Sequence, residues 1–277
     1  MDRRQFLKRG FQGLGGFALG MTGYGWASTR HFVVSIHRMD LRGLSKPLRI
    51  VQLSDLHFGR FYGLKEVKDW VRSALQQKPD VIVLTGDIVD GPISHAEQGQ
   101  LSSVLGRLNA PLGVFSVLGN HDYFRRNGTR EEGVGSLVRQ LERVGIQYLI
   151  NAGVVLRDDV YLAGVDDLWR GKVDLPKALA SVSSEGAAIV LSHNPDLLPV
   201  MPSRVDLTLC GHTHGGQICA PFGIQLHSVS RYRFQSGFVE TPSLGFISRG
   251  LGTTGPPLRT FCAAEMVVLD LEPVKNG

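Results

Sequence analysis

Near position 210 an apolar run ends in CGHTHGGQI, which sets His212 and His214 one residue apart among glycines. Such residues pack poorly in a core, and neutral imidazole is the commonest protein ligand for a metal. The pattern recurs. SDLH supplies Asp55 and His57, TGDIVD supplies Asp87 and Asp90, LGNHD supplies Asn120 and His121, and LSHNPD supplies His193. A lone strand-end Asp usually caps a helix and a lone His is usually surface or core, so it is the coincidence at five places that points to a site. Oxygen and imidazole donors without thiolate favour Mn²⁺, Fe or Zn²⁺, and disfavour iron–sulfur chemistry or an all-oxygen Mg²⁺ or Ca²⁺ site. The set suits two divalent metal ions. Held roughly 3.5–4 Å apart, such a pair shares a hydroxide, lowers its pKa and stabilises both oxygens of an in-line phosphoryl displacement.

These residues must be positioned by strands. LRIVQLSD reads as a buried strand, LKEVKDWVRSALQQK as a helix with Val67, Trp70, Val71, Ala74 and Leu75 on one face, and DVIVLTGD as the next strand. The alternation continues with a helix near 98–108, the strand GVFSVLGN, a helix near 133–144, strands near 153–156 and 160–165, and a helix near 175–182. AAIVLSH, VDLTLCGH and AAEMVVLDL complete it. This order predicts an α/β fold with helix-covered sheets. The polar residues then fall at the carboxyl ends of five strands, where α/β sheets bind ligands.

D-x-H, GD-x-x-D, GNHD, a lone His and GHTH, in this order from residue 48 onward, resemble the calcineurin-like metallophosphoesterases. The resemblance implies a four-layer αββα sandwich of two mixed sheets flanked by helices. It also implies roles: Asp55, His57 and His214 on one metal, Asn120, His193 and His212 on the other, and Asp87 bridging. His121 would contact the phosphate and protonate the leaving oxygen, with Asp90 orienting its ring. Asp122 competes with Asp90 for that task. GHTHGGQI, VDDLWRG and the tail SRGLGTTGPPLRTFCAAEMVVLDL resemble a YkuE/YaeI-like bacterial phosphodiesterase branch. The implied substrate is a phosphodiester or pyrophosphate, small or lipid-linked, such as a nucleotide sugar of the UDP-2,3-diacylglucosamine kind. A phosphomonoesterase, or a non-catalytic metal-dependent binding protein on the same scaffold, is the alternative. Dianionic monoesters call for additional cations, and only Arg125 and Arg126 stand near GNHD.

Paired Arg3 and Arg4 before Phe6, Leu7 and a glycine-rich apolar stretch resemble a twin-arginine export signal. Residues 1–27 are therefore expected to be a signal or membrane anchor, with Gly25 and Ala27 suiting cleavage, and 28–277 the enzyme domain. The expected partner is the twin-arginine export machinery, and the expected location is extracytoplasmic, free or membrane-associated. Of the net charge of +5, Arg3, Arg4, Lys8 and Arg9 against Asp2 supply three, so nothing signals nucleic-acid binding. GLGGFA matches a dinucleotide fingerprint by letter but follows no strand. Cys210, Cys219 and Cys262 lack metal spacing and read as small core residues.

Three features carry two readings each. FGRFYG, 58–63, is an aromatic lip at the site or a self-packed loop; VDDLWRG is a recognition loop or a turn around a buried Trp169. Arg249 and Arg259 clamp a phosphate or are solvated surface residues, and His227 lies a short loop beyond the GHTH block.

Overall fold

The computed structural model describes residues 23, 25, 26, 28–124, 130–183 and 185–274. The proposed export signal, apart from residues 23, 25 and 26, lies outside these, as do Arg125 and Arg126. Fourteen strands occur among them: β1 Phe32–Leu41, β2 Leu48–Leu53, β3 Val81–Thr85, β4 Val114–Val117, β5 Ile146–Tyr148, β6 Ala152–Arg157, β7 Val160–Gly164, β8 Ala187–Leu191, β9 Leu207–Cys210, β10 Cys219–Ala220, β11 Ile224–Gln225, β12 Gly237–Glu240, β13 Leu244–Ile247 and β14 Ala264–Pro273. The α-helices with full ranges among the described residues are α1 Leu64–Gln76, α2 His95–Leu105, α3 Arg130–Glu142 and α4 Leu175–Ala178.

Two six-stranded mixed sheets form, in the orders β1-β14-β2-β3-β4-β5 and β12-β13-β9-β8-β7-β6. The strands β2 to β5 run parallel in the first sheet, and β7, β8, β9 and β13 run parallel in the second. Period-two alternation explains why these strands are apolar throughout. Leu48, Ile50, Val81 and Val83 face the core between the sheets, where they meet Leu162, Ile189, Leu207 and Leu209. Val51, Leu53, Ile82 and Leu84 point the other way, onto Val67, Trp70 and Val71 of α1 and Leu101 and Leu105 of α2. The far face of the second sheet is covered by Ala178 and Leu179 at the end of α4 and by Leu197. The fold is thus the expected α/β sandwich, helices outside and two sheets within.

Several local expectations need correction. Leu75 is 38% exposed and leaves the buried face of α1 to Val67, Trp70, Val71 and Ala74. The helix expected over 175–182 stops after four residues, with Asp174 capping it by accepting the Lys177 N–H at 3.0 Å. β1 has no clear strand signature, because FVVSIHRMDL mixes polar and apolar residues; it is held by a ten-residue parallel register with β14. No helix among the described residues is long and apolar enough to cross a membrane.

Candidate metal centre

Parallel strands deliver their carboxyl ends together, and the two sheets are stitched just beneath that edge. The Gln52 Nε2 of β2 donates to the Cys210 carbonyl of β9 at 2.9 Å and to Thr85 Oγ1 of β3 at 2.9 Å, and Thr85 Oγ1 donates to Ser54 Oγ at 2.7 Å. Above this network the loops interlock through the backbone. Asp55 N donates to Gly86 O, His57 N to Asp87 O, and Gly211 N to His193 O, each at 3.0 Å. All nine sequence-derived residues consequently meet in one cluster.

On one side, His57 Nε2 and His214 Nε2 are 3.1 Å apart, and His214 Nε2 is 3.4 Å from Asp55 Oδ1. On the other, His193 Nε2 lies 3.2 Å from Asn120 Oδ1, from His212 Nδ1 and from Asp87 Oδ2. Asp87 Oδ2 is also 3.6 Å from His57 Nε2, so one carboxylate oxygen faces both groups. Asp55, His57 and His214, like Asp87, His193 and His212, can each present donor atoms within 4.8 Å of one another. All six are buried.

Five of these residues store backbone strain. Asp55, His57, Asp87, His212 and His214 have φ of 53°, 47°, 51°, 73° and 50°, a left-handed region that is costly for side-chain-bearing residues and concentrates at functional sites. The close approach also demands glycine. A Cβ on Gly119 would lie 2.2 Å from Asp87 Oδ1, and one on Gly211 would lie 2.0 Å from Ser54 Oγ and 2.5 Å from Asp55 Oδ2.

The protonation chemistry fits metal ions. His193 Nδ1 donates to Thr85 O at 2.8 Å, which leaves Nε2 as the nitrogen aimed at Asp87, Asn120 and His212, with a lone pair there once a cation displaces its proton. Acceptor atoms therefore converge where a cation satisfies them all. His212 Nε2 and His57 Nδ1 are buried with no hydrogen-bond partner. Burial and the neighbouring His193 push the His212 pKa down to about 3, and burial with His57 and Arg259 holds His214 well below the ordinary imidazole value, so both offer free lone pairs at neutral pH. Burial also opposes charge on His193, but the Asp87 charge and hydrogen bond outweigh it and push its pKa up to about 10. Asp87 stays ionised despite burial, because His193 and His57 hold its carboxyl far below the usual range.

His121 stands at the solvent edge, its side chain 32% exposed, with Nδ1 3.0 Å from Asp90 Oδ1. Asp122 plays no part in orienting it. Its Oδ1 accepts the Ile88 and Val89 N–H groups at 2.8 and 3.1 Å, and Oδ2 accepts that of Gly119 at 2.9 Å.

The sequence profile of the calcineurin-like phosphoesterases matches residues 48–216, which span every one of these donors. The chain belongs to that family. It is similar to the metallophosphoesterase YkuE of Bacillus subtilis, 33% identical across 98% of both chains. It is likewise similar to the Phosphodiesterase YaeI of Escherichia coli, 35% identical over 81% of this chain and 82% of that one. A metallophosphoesterase of Aquifex aeolicus is 32% identical over 83% and 87% respectively.

Around the phosphoesterase centre the two-sided sequence readings resolve. Trp169 is not a buried turn residue: it is 45% exposed, and its ring meets His212 edge-on at 4.3 Å. Its loop is fixed by Asp167 Oδ1, which accepts the Trp169 and Arg170 N–H groups at 3.0 and 2.7 Å. In FGRFYG, Phe58 and Tyr62 are buried in the helix-side core and only Phe61 is an exposed aromatic. Arg249, its side chain 27% exposed, is engaged by Glu265, with Nη2 2.6 Å from Oε2. Arg259 is fully buried. Its Nη1 donates to the carbonyls of His214 and Cys262 at 3.2 and 3.3 Å, and its Nη2 to those of Arg249, Gly250 and Gly252 at 2.7, 3.2 and 2.7 Å. The three cysteines are buried free thiols, as expected.

Proposed function

We propose that the chain hydrolyses phosphodiesters with two divalent cations, Mn²⁺, Fe or Zn²⁺. Asp55, His57 and His214 hold one, Asn120, His193 and His212 the other, and Asp87 is shared. The observation that carries this reading is the placement of Asp87 Oδ2 between His57 Nε2 and His193 Nε2, at 3.6 and 3.2 Å. When bound, the cations supply Lewis acidity at phosphorus and lower the pKa of the attacking water. The protein's own part is positioning and proton transfer. His121 gives its Nδ1 hydrogen to Asp90, so Nε2 is the nitrogen that protonates the departing oxygen. The similar YaeI bears the name phosphodiesterase, which supports the same class. Among the described residues, Arg249 and Arg259 are committed to Glu265 and to backbone carbonyls rather than to the phosphate, which supports a diester over a dianionic monoester. The paired arginines at the start of the sequence support export by the twin-arginine route, with 28–277 as the enzyme domain.

The test compares bis(p-nitrophenyl) phosphate with p-nitrophenyl phosphate on Mn²⁺-loaded protein. Faster diester hydrolysis is expected; protein that retains metal but cleaves no diester would overturn the reading.

A further inference from the structure

Beside His212 and His214 lies a cavity of 310 Å³, within the range of small-molecule sites. Its wall starts at those two histidines and continues through Ile218, Leu226, Val229 and Pro256. Two of the polar side chains in the wall, Gln217 and Thr213, are committed to protein partners, while His227 and Thr254 add an imidazole and a hydroxyl to a lining that is otherwise mostly apolar. Gln217 Nε2 donates to the Thr254 and Pro256 carbonyls at 3.0 and 3.2 Å, and its Oε1 accepts the Thr254 N–H at 2.9 Å. Thr213 Oγ1 donates to Gln235 O at 2.5 Å and accepts the Gly215 N–H at 3.2 Å. A sugar or nucleobase placed here would give up hydrogen bonds to water and find few in return, a cost an alkyl chain does not bear.

The rim strengthens the case for an apolar occupant. Ile218 and Leu226 flank the β10–β11 hairpin and are 36% and 65% exposed, while Ile224 is 60% exposed. At its turn Phe222 holds a left-handed φ of 66°, and its side chain is 99% exposed. The cavity is thus a largely apolar slot whose wall includes two of the candidate metal donors, His212 and His214.

We infer that this slot receives the alkyl chain of an amphiphilic phosphodiester whose phosphate sits at the histidines, which makes lipid phosphodiesters the substrate class. The inference rests on the phosphodiesterase reading above and narrows it. Ile218, Leu226 and Val229 lose water contact when the chain enters, and that burial supplies the discrimination between long and short substituents.

Binding is read first, without added metal. Dodecylphosphocholine, itself a phosphodiester, and its hexyl homologue are titrated below their micelle-forming concentrations into the full chain, followed by methyl NMR. The expected result is saturable shifts at Ile218, Leu226 and Val229, with the dodecyl compound binding about tenfold or more tighter than the hexyl. Equal affinities, or shifts scattered away from the slot, would overturn the inference. Val229→Asp and, on the rim where folding is not at stake, Leu226→Glu should each weaken dodecyl binding about tenfold; unchanged affinity in both would also overturn it. On Mn²⁺-loaded enzyme, kcat/KM for decyl p-nitrophenyl phosphate should exceed that for the methyl diester by about tenfold or more. Equal rates would remove the slot and leave the phosphodiesterase standing. Cleavage of neither would remove the phosphodiesterase, and the NMR titration would still decide the slot.

Discussion

Asp90 Oδ1 lies 3.0 Å from His121 Nδ1 and 3.5 Å from His57 Nδ1, so one carboxylate faces both the candidate proton donor and a candidate metal donor. His121→Ala should keep metal content near wild type while kcat falls about 10²–10⁴-fold. The loss should shrink for diesters with very acidic leaving groups, which need no proton. Metal analysis beside kcat on two leaving groups checks this, and an undiminished kcat would exclude His121 as the acid.

The same pair sets a pH dependence in metal-free protein. Burial lowers the His121 pKa, but the Asp90 hydrogen bond and the Asp87 and Asp90 charges more than offset it, so the value is raised above 6.5. Asp90 is held below 3.8 chiefly by its hydrogen bond from His121. A raised imidazole stabilises the fold fully below 6.5 and loses that contribution as pH rises through the raised value. A depressed carboxyl stabilises above 3.8 and loses its contribution as pH falls through the depressed value. Asp90→Asn should therefore move the His121 NMR titration midpoint down, and destabilise most between pH 3.8 and 6.5 in urea unfolding. An unmoved midpoint would contradict the pairing.

Asp87→Asn should weaken both metals together, because a neutral amide replaces a charge that faces both donor groups. Metal analysis after dialysis is the check. One ion retained at full occupancy would show that the carboxylate serves a single site.

Much of this centre was legible in the sequence because the donors sit where apolar runs stop, and a parallel strand must end with its last residues at the carboxyl edge. What stayed hidden depends on neighbours distant in sequence. Nothing in GLGTTGPPLRT shows that Arg259 turns inward, since a buried cation is recognisable only by the carbonyls that surround it. Gln52 reads as an incidental polar residue in a strand, yet it joins the two sheets under the site, with Thr85 accepting its second amide hydrogen. Trp169 was ambiguous because a turn motif does not say which histidine its aromatic meets. The SDLH and GHTH blocks do carry a hint, because Asp and His are among the residues that most often adopt left-handed backbone.

Arg259 yields a stability prediction. Arg259→Met removes the donor shared by five carbonyls, including that of His214, and a buried acceptor left without a partner costs about 1–3 kcal/mol. Unfolding free energy should fall by more than about 3 kcal/mol, since several acceptors lose their donor at once. Metal affinity should weaken too. Arg259→Lys, with its charge kept but fewer donors, should be intermediate in urea melts; a change below about 0.5 kcal/mol for Met, the range of an ordinary surface substitution, would contradict the buried role.

The most direct measurement is anomalous diffraction from crystals soaked in Mn²⁺. The expected result is two peaks roughly 3.5–4 Å apart, one on each side of the Asp87 carboxylate, the first against Asp55, His57 and His214 and the second against Asn120, His193 and His212. A single peak, or peaks away from Asp87, would contradict the dinuclear centre.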